Sequence, residues 1–288
     1  MSSRSKRAVT PRETVEILER GSYRIPHGDT VSIAEAVQDS CRQTRLYTPG
    51  DLNRLLRTVP ERRTGRPPTI AVVNATTLAA AAALVAAEPD VEPCLLNFAS
   101  AKNAGGGFLG GSQAQEESLA RATGLYACIH PVREYYDANQ DCGTCLYTHH
   151  MIYSPGVPVI RDDEDELLAV PYRVAFLTAP AVNAGALARN EPAALDRVER
   201  VMRERIDPVL AVAAHHGHDS LVLGAWGCGV FRNDPAQIAA LFADALRGGR
   251  FAGAFRRIVF AVLDSTPDRG TYNAFAEVFA SADSVGQQ

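Results

Sequence analysis

Short apolar runs alternate with longer amphipathic or alanine-rich stretches along the chain from residue 70 onward. Apolar runs of about four to eight residues are typical of strands buried in a sheet, whereas a period of about 3.6 residues is typical of helices. The runs predict strands at 70–74, 95–98, 172–179, 219–224 and 257–263. The helical patterns cover 77–87, 118–129, 195–216, 235–246 and 272–280. This alternation predicts an α/β fold whose sheet is covered by helices on both faces.

A different pattern precedes this alternation. Helical periodicity occurs at 13–20, 31–44 and 51–57. The stretch 61–68 is polar and ends in two prolines, which makes it the best candidate for a linker. We therefore expect an N-terminal helical accessory region over residues 1–67 and a second domain over residues 68–288.

Between residues 137 and 171 the periodicity is lost. Pro155, Gly156 and Pro158 interrupt the apolar positions, and a run of five acidic residues follows at 162–166. Proline and glycine are typical of turns, and a run of like charges is typical of a solvated surface. The sequence therefore predicts a long connection over the surface, with the acidic run as an exposed turn.

Composition and charge limit the classes of function. Hydrophobic residues make up 46% of the 288 residues, which is enough for a substantial core. The formal net charge of -4 gives no general attraction for nucleic acid, so direct DNA binding is not expected. The longest apolar run, 78–87, is too short to cross a bilayer, and no apolar stretch of a signal peptide follows the basic residues near Met1. These features favour a cytoplasmic protein without membrane contact.

Six cysteines are scattered through the chain, which is typical of reduced thiols rather than of a disulfide framework. Cys142 and Cys145 have the spacing of a metal or redox motif, and His149 and His150 follow them. A zinc site usually combines such a pair with a second pair elsewhere. Zinc, a redox pair and a structural loop all remain open. We favour the loop, because two adjacent histidines would need an unusual turn to bind one ion.

The most informative stretch follows the strand predicted at 95–98. Asn103 precedes three glycines, and a glutamine with two glutamates comes seven residues after them: the stretch contains Gly105, Gly106 and Gly107, then Gln115, Glu116 and Glu117. Glycine lets a backbone approach a ligand closely, because it has no Cβ and can adopt positive φ. Two carboxylates near such a turn are candidates for general acid and base.

A second glycine stretch, 224–231, follows the strand predicted at 219–224 and precedes a helix opened by Asp234 and Pro235. A glycine loop between a strand and a helix can direct backbone N–H groups at phosphate. Ligands in open α/β sheets bind at the C-terminal ends of strands. The two stretches are therefore expected to form one cleft for a diphosphate and its sugars, although two tight turns without a ligand remain an alternative.

Two other interpretations of the first stretch also remain open. Gly105, Gly107 and Gly110 match the GxGxxG dinucleotide fingerprint, but glycine is so frequent here that the match is weak. Glu116 and Glu117 would be favoured in the first turn of any helix, because the helix dipole stabilises their charged form. A general acid instead needs burial or a neighbouring charge to raise its pKa.

The spacing of the first motif resembles the signature of poly(ADP-ribose) glycohydrolases, in particular of the shorter bacterial type. The three glycines and the Gln-Glu-Glu sequence are separated by seven residues, within the range of that signature. Asn103 and the later stretch from Gly227 to Phe231 resemble the ribose-binding and phosphate-binding elements of macrodomains. The likeness covers roughly residues 68–285, and the N-terminal helices match the accessory region of the bacterial type.

This resemblance implies a macrodomain fold, in which a mixed sheet lies between helices and ADP-ribose binds across the crest of the sheet. It implies hydrolysis of the ribose–ribose O-glycosidic bonds of poly(ADP-ribose) on modified proteins, with release of ADP-ribose. No metal and no other cofactor is implied. We also expect the protein to be a monomer.

The resemblance also implies roles for individual residues. Glu117 would protonate the oxygen that leaves the glycosidic bond and then act as base toward water. Glu116 would hold hydroxyl groups of the distal ribose, Asn103 would orient the same sugar, and Phe231 would pack on it. The remaining substrate-binding residues would be Gly105, Gly106, Gly107 and Gln115 in the first motif, and Gly227, Cys228, Gly229 and Val230, whose N–H groups would bind the diphosphate.

Two rival functions fit the same fold. A non-catalytic reader of ADP-ribose would need the glycine loops but not the pair of glutamates. A hydrolase of mono-ADP-ribosyl groups or of O-acetyl esters is a third possibility. Glu116 and Glu117 at this spacing favour the glycohydrolase.

Overall fold

The computed structural model describes residues 9–26, 28–58 and 67–280. Its strands form a two-stranded hairpin and a seven-stranded sheet. The strands are β1 (Ser22–Arg24), β2 (Thr30–Ser32), β3 (Arg45–Tyr47), β4 (Thr69–Val73), β5 (Cys94–Phe98), β6 (Met151–Arg161), β7 (Leu167–Ala179), β8 (Ser220–Leu223) and β9 (Arg257–Ala261).

Helices surround the large sheet. The α-helices are α1 (Val9–Arg20), α2 (Ala34–Gln43), α3 (Pro49–Thr58), α4 (Thr77–Ala87), α5 (Gln115–Ala122), α6 (Leu125–Ile129), α7 (Arg133–Asp141), α8 (Ala184–Asn190), α9 (Val198–His215), α10 (Pro235–Ala243) and α11 (Gly270–Ala280). Short 3₁₀ turns occupy Phe108–Gly110 and Pro192–Arg197, and a π-helical turn, Asp244–Gly248, extends α10.

The large sheet has the order β3-β6-β7-β5-β8-β9-β4. Its strands from β7 to β4 are parallel, whereas β6 runs antiparallel to both of its neighbours. The sheet is therefore mixed, with β5 between the parallel strands β7 and β8. This arrangement confirms the predicted α/β fold with a mixed sheet between helices.

Consecutive residues of the central strands pack on opposite faces of the sheet. Leu95 belongs to a hydrophobic cluster with α4, α5 and α6, and Leu96 belongs to a second cluster with α9, α10 and α11. A strand covered on both faces needs apolar side chains at successive positions rather than at alternate ones. This explains why uninterrupted apolar runs predicted these strands.

The prediction of a surface connection between residues 137 and 171 is wrong. β6 and β7 form a long hairpin in this region, and most of β6 is buried. Its register shifts between Ser154 and Val157, so Pro155 and Gly156 lie in a bulge, where a proline without an N–H group is tolerated. The turn-like residues therefore mark an irregularity within a strand. Only the acidic run 162–166 forms the mostly exposed turn that was predicted.

The N-terminal helices predicted from periodicity are present as α1, α2 and α3, although Val31 belongs to β2 rather than to a helix. Strand β3 joins the large sheet, where Leu46 pairs with Ile152. The predicted linker 61–68 lies mostly outside the described residues, and the division at 67/68 stays a prediction. None of the helices within the described residues is long and apolar enough to cross a membrane.

Candidate active site

The two glycine stretches leave the sheet at the same edge. We call residues 99–114 the first glycine loop and residues 224–234 the second glycine loop. They follow β5 and β8, which are parallel neighbours, so their C-terminal ends lie side by side. Gly224 packs against both flanking strands, because a Cβ there would lie 2.9 Å from Phe98 Cζ and would overlap the carbonyl oxygen of Ala261.

The first glycine loop turns toward helix α5 through left-handed backbone. Gly105 has a φ of +67° and Gly106 a φ of +59°, a region that glycine adopts without strain. A Cβ at Gly106 would overlap the Glu117 carboxylate and would lie 3.2 Å from Glu116 Oε2. The absent side chain thus leaves room for both carboxylates beside the loop.

Gln115 ties the start of α5 to the end of β5. Its Oε1 accepts a hydrogen bond from Phe98 N–H (2.8 Å), and its Nε2 donates to the carbonyl oxygen of Leu96 (2.8 Å) and to Thr77 Oγ1 (3.1 Å). Protein groups therefore engage both ends of the amide. The contacts fix where the first turn of α5, and with it the pair of glutamates, stands relative to the sheet.

Glu116 points into the protein. Only 3% of the residue is exposed, its Oε2 accepts from Ser100 N–H (2.6 Å), and Asn97 Nδ2 lies 3.4 Å from its Oε1. Burial raises the pKa of Glu116 to about 8, although the hydrogen bonds from Ser100 and Asn97 act in the opposite direction. Burial thus favours the protonated form of Glu116.

Glu117 faces the first glycine loop instead. Its Oε1 accepts a hydrogen bond from Gly107 N–H (2.9 Å), and the side chain is only half-buried. Successive residues of a helix point in different directions, so one of two neighbouring carboxyl groups enters the core while the other stays at the open surface. The pair thus consists of two acids in different environments.

Asn103 lies at the exposed tip of the first glycine loop. Its N–H donates to Ser100 Oγ (3.1 Å), and its carbonyl oxygen accepts from Gly106 N–H (3.0 Å). Its side chain makes no hydrogen bond with any part of the chain that the structure describes, and it is exposed. The amide is therefore available to a ligand.

Hydrogen bonds from the Asn233 side chain hold the second glycine loop in place. Its Nδ2 donates to the carbonyl oxygens of Val182 (2.8 Å) and Gly227 (3.1 Å). Gly227 has a φ of +76°, and a Cβ there would lie 2.5 Å from Asn233 Nδ2 and from Ala181 Cβ. Only glycine fits at this position without moving the support of the loop.

The backbone of the second glycine loop presents a row of N–H groups. Those of Gly227, Gly229, Val230 and Phe231 have no acceptor among the described residues, whereas Cys228 N–H donates to the carbonyl oxygen of Ala225 (3.1 Å). No described atom lies within 4 Å of a Cβ placed at Gly229. The loop therefore offers unpaired donors on an open surface, as a phosphate-binding loop does.

Tyr147, which lies beside Phe231, and Arg205, which holds the Tyr147 backbone, were not found from the sequence. The Tyr147 ring centroid lies 6.2 Å from that of Phe231, and Tyr147 has a φ of +57°. Arg205 is fully buried and donates to the carbonyl oxygens of Leu146 (2.9 Å), Tyr147 (3.2 Å) and Pro180 (2.8 Å). A charged residue on the buried face of a predicted helix was the signal that could have identified Arg205.

The cysteine motif does not gather metal ligands. Cys142 Sγ donates to the carbonyl oxygens of Asn139 and Thr144, and Cys145 N–H donates to Glu191 Oε1 (2.8 Å). His149 Nδ1 accepts from Arg205, while Thr148 contacts His150. Within residues 9–26, 28–58 and 67–280, no group of three or more His, Cys, Asp or Glu side chains is placed to hold a metal ion.

Known proteins resemble this chain over most of its length. Residues 11–162 match the family described as microbial-type PARG, catalytic domain. The crystal structure of poly(ADP-ribose) glycohydrolase (PARG) from Thermomonospora curvata is 51% identical, covers 96% of this chain and 100% of its own, and has a TM-score of 0.92. A structure of the same enzyme bound to the inhibitor ADP-HPD is 50% identical, covers 95% of this chain and 99% of its own, and has a TM-score of 0.88.

PARG from Deinococcus radiodurans in complex with ADP-ribose is 45% identical, covers 85% of this chain and 97% of its own, and has a TM-score of 0.80. A search among curated proteins finds no match. The likeness to these structures confirms the macrodomain-like form of the predicted fold.

Proposed function

Because the chain belongs to the family of microbial-type poly(ADP-ribose) glycohydrolases, we propose how its own residues divide the work of that reaction. The chain is a glycosidase that hydrolyses the ribose–ribose O-glycosidic bonds of poly(ADP-ribose) and releases ADP-ribose. One observation carries the proposed roles. A half-buried carboxyl group, Glu117, and a buried one, Glu116, meet at Gly106 on the edge where both glycine loops leave the sheet.

The second glycine loop binds the diphosphate of ADP-ribose in this proposal. The unpaired N–H groups of Gly227, Gly229, Val230 and Phe231 support this role, since adjacent backbone donors form a concave site for anions. Cys228 contributes less directly, because its N–H is already bonded to Ala225. The ring of Phe231 then packs on the distal ribose.

The first glycine loop and α5 hold the reacting sugar. Asn103 supplies an exposed amide for the distal ribose. Glu116 forms hydrogen bonds with the hydroxyl groups of the same ribose. Gly105, Gly106 and Gly107 let the sugar approach the backbone. Gln115 positions the two glutamates rather than contacting the substrate, because its amide is hydrogen-bonded to Phe98 and Leu96.

Glu117 performs the proton transfers. It donates a proton to the oxygen that leaves the glycosidic bond, the C1–O bond of the distal ribose breaks, and an oxocarbenium-like centre develops. The resulting carboxylate then removes a proton from the attacking water. One general acid and base accounts for roughly 10²–10⁴ in rate. Because the two glutamates are neighbours and cannot flank the bond, we propose that the substrate diphosphate helps to position the water.

The arrangement favours cleavage over a reader or a mono-ADP-ribosyl hydrolase. A reader needs the donors of the second glycine loop but has no use for Glu117 at the mouth of the first. We further propose that the protein acts as a monomer on poly(ADP-ribose) attached to modified proteins, without DNA, metal or another cofactor, and in the cytoplasm. Residues 1–67 would form the accessory region and residues 68–288 the catalytic domain.

Incubation with poly(ADP-ribose) tests the roles. Glu117→Gln should lower release of ADP-ribose by about 10²–10⁴-fold while leaving the Kd for ADP-ribose nearly unchanged. Glu134→Gln, at an exposed carboxylate on α7, is the matched control and should retain wild-type turnover. Near-normal turnover by Glu117→Gln would remove Glu117 from the mechanism. Binding of ADP-ribose without any cleavage by the wild type would favour a reader.

A further inference from the structure

A buried polar side chain stands behind the catalytic pair. Asn97 is the only strongly polar residue of β5, whose other members are Cys94, Leu95, Leu96 and Phe98. It is completely buried. An amide inside an apolar strand is unfavourable unless its polar atoms are hydrogen-bonded, so its partners need an explanation.

The partners of Asn97 connect the sheet to Glu116. Asn97 Nδ2 lies 3.2 Å from Thr178 Oγ1 on the neighbouring strand β7 and 3.4 Å from Glu116 Oε1. Thr178 is also completely buried. Asn97 Oδ1 has no hydrogen-bond partner among the described residues, although it is buried. One end of the amide thus faces the carboxyl, and the other end is unsatisfied.

The remaining surroundings of Glu116 contain few groups that could control its charge. Ser100 N–H donates to Oε2, the backbone of Gly105 also favours the charged form, and the carboxyl group of Glu117 adjoins it on α5. From α7, the buried phenols of Tyr135 and Tyr136 interact with it electrostatically. Among the described residues, no lysine or arginine acts on Glu116. Within the described residues, the Asn97 amide is the side chain that contacts Oε1 of Glu116.

The amide and the hydroxyl can serve both forms of Glu116. When Glu116 is a carboxylate, Asn97 Nδ2 donates to it and to Thr178 Oγ1. When Glu116 carries a proton on Oε1, rotation of the amide by about half a turn presents Oδ1 to that proton and to the Thr178 hydroxyl, which can donate as well as accept. After this rotation, Nδ2 takes the position that Oδ1 has in the structure, where Oδ1 has no hydrogen-bond partner.

We propose that Asn97, supported by Thr178, is a positioning residue that sets whether Glu116 carries a proton while the substrate is bound and cleaved. The inference rests on the proposed function of the site. In the described arrangement, Asn97 stabilises the carboxylate of Glu116 and opposes the effect of burial. Loss of the amide should therefore move the titration of Glu116 to higher pH.

A carbon NMR titration of protein labelled with ¹³C-glutamate measures this directly. The signal of the Glu116 carboxyl is identified by its loss in Glu116→Gln and is followed between about pH 5 and pH 10. Asn97→Leu, which is close in size, should shift the midpoint upward by about one pH unit. Thr178→Val should shift it in the same direction by less, because the amide loses the contact that orients it. Ser154→Ala, which removes another fully buried polar group of the sheet, should leave the midpoint unchanged.

The pH dependence of kcat/KM for poly(ADP-ribose) gives a second readout. In the pH profile of kcat/KM, the inflection that arises from Glu116 should move to higher pH by the same amount in Asn97→Leu. An unchanged Glu116 midpoint in a folded Asn97→Leu protein would overturn the inference, as would a loss of activity equal at every pH. The NMR titration needs no substrate, so a wild type that failed to cleave the polymer would refute the proposed function while the role of Asn97 was still decided.

Discussion

Gly106 and Glu117 lie in contact, so that a single carbon atom added to residue 106 would overlap the carboxylate of residue 117. The glycine is therefore required by the position of the acid as well as by its own left-handed backbone. This links the two halves of the motif physically. The glycines shape the space into which the glutamates project.

Substitution of Gly106 distinguishes the steric requirement of Glu117 from the requirement of the left-handed backbone. Gly106→Ala should lower kcat/KM for poly(ADP-ribose) by at least about tenfold, since a displacement of about 1 Å in a catalytic group is enough for a larger loss. Gly143→Ala is the matched control, because Gly143 has a φ of +69° but no atom within 4 Å of a Cβ. Both variants should lose about 1–2 kcal/mol of unfolding free energy from left-handed strain. Equal activity of the two variants would contradict the contact with Glu117.

Gly229 tests the second glycine loop without disturbing the fold. Nothing lies within 4 Å of a Cβ at Gly229, and its φ is not positive, so Gly229→Val should leave thermal stability nearly unchanged. A side chain there would obstruct the row of N–H donors, and we expect the Kd for ADP-ribose to rise about tenfold, or about 1.4 kcal/mol. Isothermal titration calorimetry measures the effect. Gly248→Val, at an equally open glycine on α10's π-helical turn, should bind as the wild type does. Unchanged affinity in Gly229→Val would place the diphosphate elsewhere.

Removal of metal ions should leave cleavage unchanged. Cys142, Cys145, His149 and His150 each have separate hydrogen-bond partners, and the proposed proton transfers need only Glu117. The rate of ADP-ribose release is measured with and without a strong chelator, and Cys142→Ser serves as a second probe of the motif. A loss of rate that added zinc restores in the wild type, but not in Cys142→Ser, would re-establish a metal site.

The strands that position the site were predictable because they are buried on both faces. Such strands show uninterrupted apolar runs, and β5 and β8 led directly to the two glycine loops. The hairpin of β6 and β7 was not predictable in the same way. Pro155 and Gly156 resemble a turn in sequence, and only the pairing with a neighbouring strand shows that they lie in a bulge.

The identity of the acids was predictable, but their environments were not. Spacing and resemblance pointed to Glu116 and Glu117 as a pair. The direction in which each side chain points depends on how Gln115 fastens α5 to the end of β5, and this contact joins residues distant in sequence. The roles of Asn97 and Arg205 were missed for the same reason. A polar residue in an apolar pattern indicates that it is buried with hydrogen-bond partners, but the sequence does not show which residues those partners are.

A cluster of aromatic and histidine side chains away from the site should control stability in acid. His216 Nε2 lies 2.7 Å from Tyr47 OH, and the ring stacks on Tyr153 at 3.6 Å between centroids. Burial, together with positive charge on neighbouring side chains, lowers the pKa of His216 to about 4. The unfolded chain binds a proton at this histidine below its ordinary value of 6.5, whereas the folded protein binds it only near pH 4. Stability is therefore retained above pH 6.5 and declines as the pH falls toward 4.

Urea unfolding at pH 6.5 and at pH 4.5 measures this linkage. Because His216 is only partly buried, we expect it to account for about 1–2 kcal/mol of the loss of unfolding free energy between the two conditions. His216→Gln, which cannot titrate, should lose that much less stability on acidification than the wild type. His130→Gln is the matched control, since His130 is an exposed histidine that is not among the groups acting on His216, and it should follow the wild type. An equal decline in wild type and His216→Gln would show that other groups cause the sensitivity to acid.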